Sequence, residues 1–138
     1  MRATLTRRVT FSAAHRYRRP EWTAEQNAEA FGVCAHPNWH GHTYNVDVTV
    51  GGEIDPQTGF CANLFLLDTV LKREVFDKLD HRNLVLDVPE FAEGKAIPSS
   101  ENVAVWVAQK VQAAMGDTKV LRVRVSEAPG LWAEVEPG

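Results

Sequence analysis

The sequence predicts an α+β fold in which two helices cover one side of a four-stranded antiparallel sheet, in the order β-β-α-α-β-β. Three features carry this reading: alternation with period two at both ends of the chain, two stretches of helical spacing between them, and turn residues at the junctions. With 138 residues, 44% hydrophobic and 24% charged, the chain matches one soluble domain spanning residues 1–138. It holds no repeat or linker-like tract, and no apolar run nears the roughly 20 residues that a membrane span needs.

The first strand is expected over residues 5 to 15, with Val9, Phe11, Ala13 and His15 on one face and Thr10, Ser12 and Ala14 on the other. A long polar connection follows, in which "TAEQNAEAF" can form a short helix; connections of this length tend to carry function. From His40 to Val50 the period is again two, placing His40, His42, Tyr44, Val46, Val48 and Val50 together. After the turn segment "GGEIDPQTGF", Leu64, Leu67, Leu71, Val75 and Leu79 recur at helical spacing behind Asn63, an N-cap candidate. A second helix starts near Ser99 or Ser100, turns Val103, Trp106, Val107, Val111 and Met115 inward, and stops at Gly116. The last third is strand, with Leu121, Val123, Val125 and Glu127 on one face and Arg122, Arg124 and Ser126 opposite. A short strand, "LWAEVE", then returns. Four strands leave two sheet edges, and joining sheets between subunits is one way to remove them, so an oligomer is expected.

Several classes are excluded on composition. A net charge of −3 does not suit a nucleic-acid binder that relies on a general positive field. The basic start "MRATLTRRV" runs into "TFSAAHRY" rather than an apolar signal core, which makes the cytoplasm the expected location. The two cysteines read as thiols rather than a disulfide.

The chemistry concentrates in "CAHPNWHGHTY", Cys34 to Tyr44. On a strand, residues i and i+2 face the same way, so His40 and His42 can share one ion, while Gly41 keeps the backbone between them uncluttered. If the first two strands pair antiparallel, the end of one lies beside the start of the other, and His15 joins as a third ligand. Three protein ligands with an open fourth position describe catalytic zinc. His36, in the loop beside Pro37, has no parity argument and is read as solvated or as lying behind the ligands. Cys34 is open to two readings: a fourth ligand closing a structural zinc site, or a thiolate acting as general base beside the metal. Cys61, in "GFCANLF", reads as a packing residue.

Six motifs in order give the chain a resemblance to the 6-pyruvoyltetrahydropterin synthase family, which includes the bacterial 6-carboxytetrahydropterin synthases. They are "FSAAH", "FGVCAHPNWHGHTY", "GEIDPQTG", "LDHRNL", "SSENVAVWV" and the late strand ending in Glu127. The resemblance implies a tunnelling fold (T-fold), in which three subunits close a β-barrel, two rings stack into a hexamer, and active sites lie between subunits. It implies zinc on His15, His40 and His42, Cys34 as catalytic base, Asp80 and His81 as proton-transfer partners, and Glu127 as pterin anchor. Ser99, Ser100 and Glu101 become pterin contacts beside their capping role, and Arg16, Arg18 and Arg19 are candidates for triphosphate. The implied substrate is 7,8-dihydroneopterin triphosphate, with zinc acidifying protons of its side chain.

The five residues between Cys34 and His40 resemble the interval in pyruvoyl-forming members; carboxy-forming members of deazapurine (queuosine) biosynthesis have a shorter one. Members that make a folate precursor carry glutamate at the base position, where this chain has Cys34, although Glu29 lies nearby. The expected product is therefore 6-pyruvoyltetrahydropterin. The alternatives are 6-carboxytetrahydropterin with acetaldehyde release, and a non-catalytic zinc-stabilised pterin-binding oligomer.

Overall fold

The computed structural model describes residues 1–138. Two long strands dominate it: β1 (Arg2–His15) and β2 (His40–Glu53), paired antiparallel from Arg2↔Glu53 to His15↔His40. β4 (Lys119–Ala128) pairs antiparallel with β2, and β5 (Leu131–Val135) with β4. These are the four expected antiparallel strands. A fifth, β3 (Arg82–Asn83), adds two residues parallel to β1, giving the order β3-β1-β2-β4-β5.

The connection after β1 contains α1 (Ala24–Phe31), opened by a capping box between Thr23 and Gln26. Gly32, at φ 57°, ends α1 and turns the chain into a 3-10 turn (Gly32–Ala35) that carries Cys34. Asn63 caps α2 (Leu64–Val70), accepting from the Leu66 N–H. The helix continues through a π-helical stretch (Leu71–Phe76) into α3 (Asp77–Leu79). A stripe of residues four apart drifts about 40° per step around an α-helix. The wider π turn offsets that drift, and Leu67, Leu71, Val75 and Leu79 all reach the core. A short α4 (Leu84–Asp87) precedes α5 (Ser100–Ala114), which is capped by Ser99.

One core of 25 buried residues lies between the helices and the sheet. Phe11, Tyr44, Val46, Val48, Val123 and Val125 supply its sheet side, while Val103, Trp106, Val107, Val111 and Met115 supply its α5 side. Leu121 departs from its expected face. The β2–β4 register shifts between Thr49 and Val50, so Val120 turns inward and Leu121 outward. A bulge reverses the parity of every residue beyond it. The opposite face of the sheet has no helix and is polar, with Arg8 held by Asp47 through two hydrogen bonds of 2.7 and 3.0 Å. No helix is long and apolar enough to cross a membrane.

Candidate metal centre and active site

The buried face of β1 and β2 ends in histidine. His15 lies opposite His40, and His42 opposite Ala13. A side chain at each of these positions points to the helix-covered side, which brings the three rings to centroid separations of 4.7, 4.9 and 5.1 Å. Their candidate donor atoms all lie within 4.8 Å of one another. His15 is fully buried. Its Nδ1 is 2.9 Å from the Tyr44 hydroxyl, whose ring stacks on Phe11.

The remaining ring atoms have no partner. The Nε2 atoms of His15, His40 and His42 are all buried without a hydrogen bond, and so is Oε2 of Glu127. Buried polar atoms are almost always paired, so four unpaired together mark a place built for something else. Three converging imidazole nitrogens are the donor set that zinc takes. The residues therefore fit a divalent cation. Burial first, then the neighbouring His40 and His42, push His15 down to about 3 against the Pro98 carbonyl, which raises it; burial likewise lowers His40. In both, the neutral imidazole that metal binding needs is the favoured form.

Glu127, near the end of β4, places Oε2 4.0 Å from His15 Nε2. The Cys34 thiol is pushed up, first by burial and then by the charge of Glu127. The backbone beside it is fixed, since the Tyr17 N–H donates to the Cys34 carbonyl at 2.8 Å. Tyr17 packs its ring 4.8 Å from His15. Its hydroxyl is also raised by burial first, then by Glu127, Cys34 and Glu101. The charges of Glu127, Cys34 and Glu101 thus all reach the Tyr17 hydroxyl, and the Tyr17 ring lies against His15.

Other expected site residues lie apart. Asp80 Oδ1 accepts from the Ser12 N–H at 3.1 Å, and the His81 N–H donates to the Ser12 carbonyl at 2.6 Å, so the pair is clamped to β1 where β3 begins to pair with it. The Ser12 N–H first, and His81 next, hold the Asp80 carboxyl below its usual range. His81 Nδ1 sits 2.9 Å from Asp80 Oδ2. It is also the chain's one non-glycine residue at positive φ, 57°. That conformation costs about 1–2 kcal/mol where a Cβ is present, and such strain clusters at functional sites. The His81 side chain is 82% exposed. No hydrogen bond or ring contact joins it to the three histidines, although His42 and His81 both rim one open groove over Ser12, Ala14 and Thr43.

Ser99 accepts from the Asn102 N–H at 3.2 Å, Ser100 is buried, and Glu101 is exposed in the first turn of α5. Arg16 donates to the Pro37 carbonyl at 2.9 Å and stacks over Trp39. Arg18 pairs with Glu93, and Arg19 donates to the Lys95 carbonyl at 3.0 Å. His36 turns to its own loop, where Nδ1 accepts from the Asn38 N–H at 3.2 Å. Cys61 packs, partly buried, against the core; its carbonyl would meet a Cβ on Gly52 at 2.5 Å, which makes glycine obligatory there. Sequence reading gave no role to Tyr17 and Tyr44. The available signal was parity, since each stands two residues beyond a candidate ligand, His15 or His42.

Residues 4–138 match the family model described as 6-pyruvoyl tetrahydropterin synthase. The chain belongs to that family. Among relatives of the 6-pyruvoyl tetrahydropterin synthase family, the human 6-pyruvoyl tetrahydrobiopterin synthase is 42% identical over 125 residues, covering 91% of this chain and 85% of its own. The 6-carboxy-5,6,7,8-tetrahydropterin synthase of Bacillus subtilis is 31% identical over 115 residues, covering 79% of this chain and 74% of its own. The structure of the Caenorhabditis elegans 6-pyruvoyl tetrahydropterin synthase superposes with a TM-score of 0.93 at 32% identity, covering 100% of this chain and 97% of the other. The tunnelling fold of the family is thus the fold of this chain.

Proposed function

We propose that this chain is a zinc-dependent carbon-oxygen lyase that converts 7,8-dihydroneopterin triphosphate to 6-pyruvoyltetrahydropterin with loss of triphosphate. The observation that carries the reading is the trio of buried, unpaired Nε2 atoms on His15, His40 and His42 beside the unpaired Oε2 of Glu127. The higher identity to the human pyruvoyl-forming relative than to the carboxy-forming one of Bacillus subtilis supports the choice of product.

His15, His40 and His42 would hold the zinc. When bound, it supplies a Lewis acid for the substrate's side-chain hydroxyls and a positive charge that opposes Glu127 in setting the Cys34 pKa. Glu127 accepts two parallel hydrogen bonds from the pterin's 2-amino group and N3–H, which orients the ring and satisfies the orphaned oxygen. Cys34 removes a proton from a side-chain carbon, and the triphosphate leaves with the electron pair of its C–O bond. Asp80 orients His81 for the return of a proton. The exposure of His81 on the β1 edge supports its serving the site of a neighbouring subunit. Ser99, Ser100 and Glu101, at the start of α5, contact the pterin in this reading; the charge of Glu101 reaching the Tyr17 hydroxyl supports that for Glu101.

Of the three arginines, Arg16 and Arg19 are better placed for triphosphate than Arg18. Neutral carbonyls hold them, leaving their charges uncompensated, whereas Arg18 is already paired with Glu93. Assembly is expected as a homo-oligomer, a hexamer built as a dimer of trimers. The edge positions of β3 and β5 and the exposed Leu86, Leu131 and Trp132 support this.

The test is to incubate zinc-loaded protein with 7,8-dihydroneopterin triphosphate and identify the products. 6-Pyruvoyltetrahydropterin with triphosphate is expected. Acetaldehyde with 6-carboxytetrahydropterin would move the chain to the carboxy-forming group, and binding without turnover would make it a zinc-stabilised pterin-binding oligomer.

A further inference from the structure

The three candidate ligands are not held alike. His15 is 0% exposed, whereas His40 and His42 are partly open to solvent. His15 alone among them has its second ring nitrogen hydrogen-bonded within the chain, Nδ1 to the Tyr44 hydroxyl at 2.9 Å. Tyr44 is itself 0% exposed, and its ring lies 5.0 Å from Phe11 at an interplanar angle of 10°. No bulk water reaches the fully buried His15, and the Tyr44 hydroxyl is the partner at hydrogen-bond distance from its Nδ1, with the Pro98 carbonyl near the same ring.

The geometry assigns Tyr44 as the positioning residue of the metal centre: its hydroxyl accepts from His15 Nδ1–H and so fixes the ring with Nε2 free and aimed at His40 and His42. The inference rests on the zinc reading above. A neutral imidazole that gives Nε2 to a metal carries its proton on Nδ1, and that N–H needs an acceptor when buried. A hydroxyl both donates and accepts, and the partner behind a metal-bound histidine sets its tautomer and orientation. His40 and His42 lie closer to solvent, where water can serve the same purpose. The stack on Phe11 holds the Tyr44 ring, so the oxygen rather than the ring makes the difference between Tyr and Phe at this position.

The experiment is a chelator-competition titration of zinc into wild-type protein and Tyr44→Phe, with thermal melts of both metal-free proteins to compare folding. Phenylalanine keeps the stack and removes only the oxygen. Zinc affinity should fall about 10–100-fold, while the metal-free melts keep a single cooperative transition. Equal affinity in the two proteins would overturn the role of Tyr44 while leaving the zinc reading intact. Wild-type protein that binds no zinc would overturn both. An independent readout on wild-type protein needs no variant: long-range nitrogen–proton NMR of the zinc-loaded chain should show His15 protonated at Nδ1, with slow exchange. Coordination through Nδ1, or an Nδ1 without a proton, would overturn the assignment.

Discussion

The two halves of the β1–β2 ladder share strands, register and a helix-covered face, yet they are filled in opposite ways. In one half, Val46, Val48 and Val50 pack with Val123, Leu67 and Val107, all fully buried. In the other, His15, His40, His42 and Glu127 bring polar atoms into burial and leave four of them unpaired. Apolar burial at roughly 25 cal/mol per Å² stabilises the first half, whereas each unpaired polar atom in the second costs free energy. The same scaffold thus invests stability at one end in order to hold an unsatisfied, preorganised donor set at the other.

If that division is right, variants in the two halves should change different quantities. The largest effect is expected for Cys34→Ala, which removes the proposed base. kcat should fall about 10²–10⁴-fold with zinc content unchanged, as read by metal analysis and steady-state kinetics; loss of zinc would instead make Cys34 a ligand. In the dry half, Leu67→Ala should cost about 2–5 kcal/mol in urea melts and leave turnover per folded chain alone.

Acid should act on the polar half of the metal-free chain. His15 titrates at about 3 in the folded state, against about 6.5 when unfolded. The unfolded chain therefore binds the extra proton first, and stability falls as pH drops from about 6.5 towards 3. Melts of chelated wild-type protein across that range check this, and a flat profile would contradict the burial of His15. The smallest of these effects is expected for Glu127→Gln, which keeps one acceptor but loses the charge. kcat/KM should drop about 10–100-fold, with little change in zinc affinity.

Much of this contrast was legible in the sequence. Strand parity alone put His15, His40 and His42 on one face, because alternation is a local property and the β1–β2 register follows from antiparallel pairing. Asn63 and Ser99 announced their helices through capping chemistry. What stayed hidden depends on contacts distant in sequence. The bulge that turns Leu121 outward comes from a register shift against β2, and the π-helical stretch from packing against the core. The clamp of Asp80 and His81 on Ser12 joins residues 68 apart in sequence at its Asp80 contact. The commitment of Arg18 to Glu93 is equally invisible to local pattern, and it weakens Arg18 as a candidate for the proposed triphosphate contact. The roles proposed for Cys34, Asp80, His81 and Glu127 rest on family resemblance; the structure adds an electrostatic link between Cys34 and Glu127 and a clamp of the Asp80–His81 pair on β1.

The central claim is that the polar half of the ladder is a metal centre serving catalysis. The most direct measurement is zinc content per chain, together with turnover of 7,8-dihydroneopterin triphosphate before chelation, after chelation and after zinc is restored. The account predicts one zinc per chain, loss of turnover on chelation and its return with zinc. A metal-free chain that still turns over substrate would contradict it.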